Sequence, residues 1–365
     1  MSGLITAIGR QPRPVLVAEG FLWIATLGIL DYFAPPDLSF LIFYVAPVFF
    51  LVWFVGRWAG LLGALASAAF WTYEDVLSPH AYPSTRAADW NIAVRLAFLA
   101  VFVYVVAELK RVLERERQAE QERLERDVQI AQQVQERLFP RKPPQILNLD
   151  CQGVCRPARG VAGDYYDFVA LDGGHAGIAV ADVAGKGLPA ALLMASLQAA
   201  LRSLVSVSDE GPATLARDLN AQMCALTEPT RFATLFWGVF DEEQRALAYV
   251  NAGHNPPLLF RGGDGAVERL VSGGRPLGVF PNSEYRAGRV TLSSGDVLVV
   301  YTDGVTEAPD ADEQEFGEAR LREYVRAHAG RSVEELCRGI LGAVDAFQNG
   351  LPPQDDMTLV VARVR

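Results

Sequence analysis

Four cysteines in 365 residues are too few for a disulfide framework. Cys151 and Cys155 have no second pair at zinc-site spacing, which leaves ordinary thiols of a reducing compartment. A surplus of positive charge is also missing: residues 139–365 carry 29 acidic and 21 basic side chains, a net charge of −8. Such a surface disfavours nucleic acid, whose phosphates want a basic face. Histidine is scarce, and none of His80, His175, His254 and His328 lies on the charged segment 109–138, which argues against an autophosphorylating kinase helix there. Residues 41–55 contain no charged side chain at all. A buried helix of a soluble protein keeps a polar face, so this absence points to a membrane.

What is present divides the chain in three. Apolar runs cover residues 14–30, 39–56, 58–73 and 91–107. Each is roughly 16–18 residues long, close to the roughly 20 that span a hydrocarbon core. A cleaved signal peptide would account only for the first. The expectation is a bundle of four transmembrane helices in residues 1–108. Arg10, Arg13, Arg57, Lys110 and Arg111 flank one side. Asp31, Asp37, Glu74, Asp75, His80, Arg86 and Asp89 occupy the connectors on the other. Basic residues favour the cytoplasmic side, so both ends of the module are expected there, in a multi-pass protein of the cytoplasmic (inner) membrane. Arg95, near the outer end of the fourth run, is placed to snorkel.

From residue 109 the composition changes abruptly. LKRVLERERQAEQERLERD holds six basic and six acidic residues, and no Gly or Pro appears before Pro140. Glu122–Arg126 and Glu120–Arg123 have the spacing of helix-stabilising ion pairs. Leu124, Ala131 and Leu138 recur every seven residues, with Val128 and Val134 between them. This predicts a helical coiled-coil linker over 109–138 that joins two copies of the chain. Charges occupy the expected seam between Glu114 and Arg123, so a solvated single helix is the alternative.

Residues 139–365 read as a third domain of α+β class. Strand-like runs at 176–182, 233–240, 246–250, 296–302 and 358–363 cluster between helix-like runs at 188–205, 213–227, 318–328 and 333–347. That pattern suggests layers with antiparallel sheets rather than strict βαβ alternation. In AVADVAGKGLPAALLMA a buried strand meets a glycine turn at Asp182. A phosphate-cradling loop of the Walker A kind fails here, because Gly187 follows Lys186 and Val180 stands where the first glycine belongs. Three further aspartates occupy similar junctions: Asp164 in VAGDYYDF, Asp303 in VLVVYTDGVTEA, and Asp355, beside Asp356, in QDDMTLVVARV. One such aspartate alone is usually a turn residue. As a set, converging carboxylates repel unless a cation neutralises them, and all-oxygen donors favour Mg²⁺ or Mn²⁺.

At these motifs the chain resembles the PPM-type (2C-like) metal-dependent Ser/Thr protein phosphatases, in their bacterial branch of sporulation and stress-response phosphatases. AQQVQERLFP, PARGVAGDYYDF, ADVAGKGLPAALLMA, FATLFWGVFD, YVNAGHNPPLLF, GGRPLGVF, YTDGVTEAPDADEQEFG and DDMTLVV follow the family's order across about residues 130–365. The resemblance implies a β-sandwich flanked by helices, with two Mn²⁺ or Mg²⁺ ions at one end. In that scheme Asp182 bridges both metals and the carbonyl of Val183 faces one. Asp303 and Asp355 complete one shell, and Asp164 acts on the second metal. Asp182 and Asp303 thereby serve catalysis through a metal-activated water. Arg159 stands five residues before Asp164, where the family's eukaryotic relatives keep a phosphate-binding arginine; a solvated surface arginine is the alternative. His254 reads as a structural turn residue and Lys186 as a solvated loop charge. The family further implies a phosphorylated anti-sigma-factor antagonist as substrate, while the heptad seam of the linker is the ground for expecting a homodimer. Two departures, Ala162 and Ala181 where the family favours glycine, leave every carboxylate in place. A non-catalytic membrane scaffold is the rival reading. A diguanylate cyclase, suggested by AGDYYD alone, fails on the order of the remaining motifs.

Overall fold

The structure, a computed structural model, describes residues 8–9, 11–33, 41–77, 85–140, 148–207, 211–228 and 230–365. Arg10, Asp37 and His80, used above for orientation, lie outside them. The chain divides into two compact units, one ending at Leu124 and the other beginning at Glu125.

The first unit is helical. α1 spans Arg13–Tyr32, and α2 spans Leu41–Phe50 and continues as a π turn over Leu51–Val55. α3 spans Arg57–Leu77, and α4, Thr85–Gln135, runs 51 residues into the second unit. Gly56, with φ of 138°, breaks the chain between the π turn and α3. Ile24, Leu27, Tyr44, Val48, Leu51, Leu99 and Val103 form its core. Large apolar side chains also point outward: Leu22, Ile42, Trp58 and Tyr104 are 68–74% exposed. Among the described residues, three helices are long and apolar enough to cross a membrane: Arg13–Tyr32, Asp89–Gln135 and Leu188–Ser206. Ile42–Val55 is apolar but shorter. α3, whose last turns carry Thr72, Tyr73, Glu74 and Asp75, is not among the three. Asp31, placed in a connector by sequence, is instead buried in the last turn of α1, where the Tyr44 hydroxyl donates to it at 3.4 Å.

The second unit begins with the end of α4 and continues with β1 (Leu149–Arg156), β2 (Tyr165–Leu171), β3 (His175–Val183), α5 (Leu188–Val207) and α6 (Pro212–Leu226). β4 (Ala233–Asp241), β5 (Ala246–Ala252), β6 (Leu258–Phe260), β7 (Val267–Arg269), β8 (Gly273–Gly274), β9 (Gly288–Thr291) and β10 (Val297–Tyr301) follow. The chain closes with α7 (Asp303–Thr306), α8 (Gly317–Ala327), α9 (Val333–Gln348) and β11 (Met357–Val364). One sheet has the order β1-β11-β10-β6-β7; the other has β2-β3-β4-β5-β8, with β9 also paired to β5. All pairings are antiparallel except β5 with β8.

Side-chain alternation explains the layers. Ile178, Val180, Phe236, Val300 and Val360 point between the sheets. Their neighbours Ala179, Ala181, Leu235 and Trp237 point outward onto Met194, Leu197 and Leu201 of α5 and Leu219 of α6. On the opposite side Val299, Leu359 and Val361 meet Leu321 of α8 and Leu336, Ile340 and Val344 of α9. Strands covered on both faces must be apolar throughout, which is why their sequence shows continuous runs. Coverage also explains α5, Leu188–Val207: it has a membrane span's composition, yet one side of it is packed on a sheet. α9 starts at a capping box, in which Ser332 accepts from the Glu335 N–H and Glu335 accepts from the Ser332 N–H.

The end of α4 docks on its own unit. Val128 and Ala131 are half-buried there, Gln135 is fully buried, and Leu138 and Phe139 pack against the core. Gln198 Nε2 of α5 donates to the Leu138 carbonyl at 2.9 Å. Part of the heptad face that sequence assigned to a second helix is therefore occupied within the chain. Leu124, Ile130 and Val134 remain 55–60% exposed. Because Phe236 is fully buried between the sheets, Phe236→Ala should cost about 3–5 kcal/mol, read from chemical denaturation of the second unit.

Candidate active site

The four aspartates singled out by sequence lie where strands end. Tyr165 pairs with Ala181, so Asp164, just before β2, and Asp182, near the end of β3, lie at the same edge of one sheet. Tyr301 pairs with Leu359, which places Asp303, after β10, beside the chain entering β11 at Asp355-Asp356 in the other sheet. Thr302 joins the two sheets. Its buried hydroxyl donates to Asp164 Oδ2 at 2.7 Å and accepts the Thr358 N–H at 2.9 Å.

Electrostatics at this end is dominated by burial and like charge. Burial, then the neighbouring Asp182 carboxylate, raises the Asp164 pKa well above the usual range, against the Thr302 hydrogen bond. Burial, then repulsion from Asp303 and Asp355, lifts Asp182 to about 7, partly offset by the neighbouring Asp164 carboxyl. Asp303 is raised by burial and by Asp355, partly offset by the Gly304 N–H and by Lys186. Two carboxyls this close share a proton when no cation lies between them.

The same motif contains a contrasting case. Asp167 is completely buried, yet Arg202 of α5 holds it through bonds of 2.7 and 2.8 Å, and the Tyr165 hydroxyl donates to it as well. The fold thus gives one buried aspartate of AGDYYDF a guanidinium and leaves Asp164 facing carboxylates. The cation nearest the cluster is Lys186, whose Nζ lies 2.6 Å from Asp355 Oδ2 and donates to the Gln354 carbonyl at 2.8 Å. Sequence read Lys186 as a solvated charge; it is half-exposed but paired. An exposed pair of this kind contributes only about 0–1 kcal/mol. Among the described residues no three His, Cys, Asp or Glu side chains close into a ready ligand cluster.

The adjacent acids have separate tasks. Asp356 is buried and accepts backbone N–H groups of Ala158 and Gly163, both at 2.7 Å. Asp355 is 43% exposed and faces the cluster. Gly163 leaves little room for a side chain, since a Cβ there would lie 3.0 Å from the Val183 carbonyl oxygen. A Cβ at Gly304 would lie 2.0 Å from the Asp356 carbonyl oxygen. The Val183 carbonyl therefore borders the loop carrying Asp164. Ala162 and Ala181, the two departures, are fully buried without left-handed backbone. An all-oxygen set of four repelling carboxylates beside a backbone carbonyl suits a hard divalent cation.

The Arg159 side chain is exposed and makes no hydrogen bond or ion pair among the described residues, while its carbonyl accepts the Val161 N–H at 2.9 Å. His254 is buried, with Nδ1 2.8 Å from the Thr234 hydroxyl, and burial pushes its pKa down to about 4. Burial thus keeps its imidazole uncharged near neutral pH. Thr302, Asp356 and the Lys186–Asp355 pair escaped sequence reasoning. Only the adjacency of Thr302 and Asp356 to singled-out aspartates hinted at them.

A family model described as stage II sporulation protein E (SpoIIE) matches residues 172–365, which hold Asp182, Asp303 and Asp355. The chain belongs to the SpoIIE family. It is 32% identical over 244 residues to the phosphoserine phosphatase RsbU of Bacillus subtilis, covering 67% of this chain and 71% of that protein. It is 30% identical over 289 residues to protein IcfG of Synechocystis, covering 71% of this chain and 44% of that protein. Among solved structures, the SiaA-PP2C domain of Pseudomonas aeruginosa superposes with a TM-score of 0.60 at 22% identity, over 68% of this chain and 99% of that one. The second unit of this SpoIIE-family chain thus has the PP2C fold, and the chain is a serine/threonine protein phosphatase by family.

Raised carboxylate pKa values have a signed consequence. In unfolded chain these aspartates titrate near 3.9. Between about pH 4 and 7 the native cluster therefore holds protons that the unfolded chain has lost, and stability falls as pH rises. His254 acts in the opposite sense below about pH 6.5, so the comparison must be with a cluster variant. In chelator, Asp182→Asn should raise the melting temperature relative to the unaltered protein, by a margin that grows from pH 5 to pH 7. Scanning calorimetry of both proteins reads that margin; a margin that shrinks with pH would contradict the repulsion described.

Proposed function

We propose that this chain is a membrane-anchored, signal-regulated phosphatase that removes phosphate from phosphoserine or phosphothreonine of a partner protein, with two Mn²⁺ or Mg²⁺ ions. The observation that carries the reading is the convergence of Asp164, Asp182, Asp303 and Asp355, with Lys186 paired to Asp355 among the described residues. Bound divalent cations would supply an activated water and neutralise phosphoryl oxygens. Asp164, Asp182, Asp303 and Asp355, with the Val183 carbonyl, would hold the cations. Thr302 fixes the orientation of Asp164, and Asp356 fixes the loop before it. Arg159, unpaired and exposed five residues before Asp164, is available to grip a phosphoryl group through its guanidinium fork.

The name of the RsbU relative, a phosphoserine phosphatase, supports the substrate class. A phosphorylated anti-sigma-factor antagonist is the partner we infer, in a partner-switching circuit. Outward apolar side chains on α1–α4 support insertion in the cytoplasmic membrane, and the flanking basic residues support a cytoplasmic second unit. Leu124, Ile130 and Val134 are available to a second copy's helix, so a dimer through residues 109–138 belongs to the same proposal. The scaffold reading rested on Ala162 and Ala181, whose methyls are accommodated.

The full chain in lipid nanodiscs, given Mn²⁺ and a phosphoserine protein, should release phosphate in a chelator-sensitive reaction. Asp303→Asn should lower turnover by about 100-fold or more, the loss of a ligand exceeding that of an outer partner. Chelator-resistant turnover, or an active Asp303→Asn variant, would sink the metal reading. Arg159→Ala should raise KM more than it lowers kcat, and an unchanged KM would return Arg159 to the solvated surface.

A further inference from the structure

Gln135, the last residue of α4, is 5% exposed, and its amide engages both backbone groups of Ala162. Nε2 donates to the Ala162 carbonyl at 2.8 Å, and the Ala162 N–H donates to Oε1 at 2.8 Å. A primary carboxamide presents one donor and one acceptor side by side, so it closes a paired ring with a peptide unit as a neighbouring strand would. An ionised glutamate lacks the donor, methionine lacks both partners, and asparagine is one methylene short. Val161, Ala162 and Gly163 are all buried, so without the amide two backbone groups would stand unpaired away from water.

Ala162 lies two residues before Asp164. The same short loop is held elsewhere by Asp356, through the Gly163 N–H, and is pressed against the Val183 carbonyl. Those two restraints come from the loops that carry the other carboxylates. The third comes from the linker helix.

We infer that Gln135 is a positioning residue for Asp164: through the Ala162 backbone, the last turn of α4 sets where that carboxylate stands for a divalent cation. The inference rests on the metal reading proposed above. A displacement of the final turn of α4 would reach Asp164 through two hydrogen bonds and two residues of chain. Gln198, which ties the same helix end to α5 through the Leu138 carbonyl, separates this role from mere anchoring, since it does not touch Ala162.

The test uses the full chain in lipid nanodiscs. Mn²⁺ binding is followed by the paramagnetic resonance of free Mn²⁺, and hydrogen exchange of the Ala162–Asp164 amides is followed in chelator. Gln135→Met should weaken Mn²⁺ binding about 10-fold or more, as outer partners of metal ligands do, while Gln198→Met stays within about twofold. Gln135→Met should also speed exchange at Ala162–Asp164, which Gln198→Met leaves protected. Should Gln135→Met not fold, Gln135→Asn carries the same expectation. Unchanged Mn²⁺ affinity in a folded Gln135 variant overturns the positioning role alone. Equal weakening by Gln198→Met overturns it too, as general loosening. No Mn²⁺ uptake by the unaltered chain overturns the metal reading and the inference together.

Discussion

Carboxylates arriving from both sheets of one sandwich repel each other in a place water reaches poorly, and the surrounding structure is arranged to hold that repulsion in position. Thr302 gives Asp164 a neutral donor rather than a charge. Asp356 has its demand met by two backbone N–H groups, which leaves Asp355 turned toward the cluster. Lys186 supplies a single, half-exposed positive charge, an interaction too weak to resist a divalent cation. The contrast with Asp167 is informative, because the fold did provide a guanidinium for that buried carboxylate, three residues away. Unmatched charge at Asp164 and Asp182 is therefore a feature of this end of the molecule, not a general tolerance of buried acids.

The scaffold makes such an arrangement affordable in mechanical terms. Two sheets, each covered on its outer face by a helix pair, keep the strand ends fixed, and the loops that carry the aspartates are tied at the backbone. Close approaches at Gly163 and Gly304, where a Cβ would meet a carbonyl oxygen, leave those loops little freedom. Rigid supports of this sort let repelling groups stay near one another, since relaxation would require breaking several backbone hydrogen bonds at once.

The linker helix contributes to the site as well as leading to it. Val128, Ala131, Gln135 and Leu138 face their own unit, while Leu124, Ile130 and Val134 face outward. A single amphipathic repeat thus holds two apolar surfaces, one used within the chain and one open. Gln135 belongs to the first of these, and its amide hydrogen-bonds the loop before Asp164.

Much of this was legible in the order of residues. Continuous apolar runs announced β3, β4, β5, β10 and β11 because both of their faces are covered. α5, α6, α8 and α9 showed as helix-like runs, the single turn of α7 did not, and the junction aspartates showed by residue type and by their recurrence at strand ends. β1 was hidden by the mixed run LDCQGVCR, and β2 by Asp167, whose burial is compensated by Arg202, 35 residues along the chain. The short strands β6 to β9 carry too few residues to show a period. Thr302 lies 138 residues from Asp164, Asp356 lies 193 from Gly163, and Lys186 lies 168 from Gln354. A hydrogen bond between such distant partners leaves no periodic trace in either segment. The sequence alone determined the class of fold, which follows from apolar pattern, and its ordered motifs carried the resemblance that pointed to phosphatase chemistry. Which carboxylate would be compensated and which left to repel its neighbours was decided by tertiary structure, because compensation depends on what packing brings within about 3 Å.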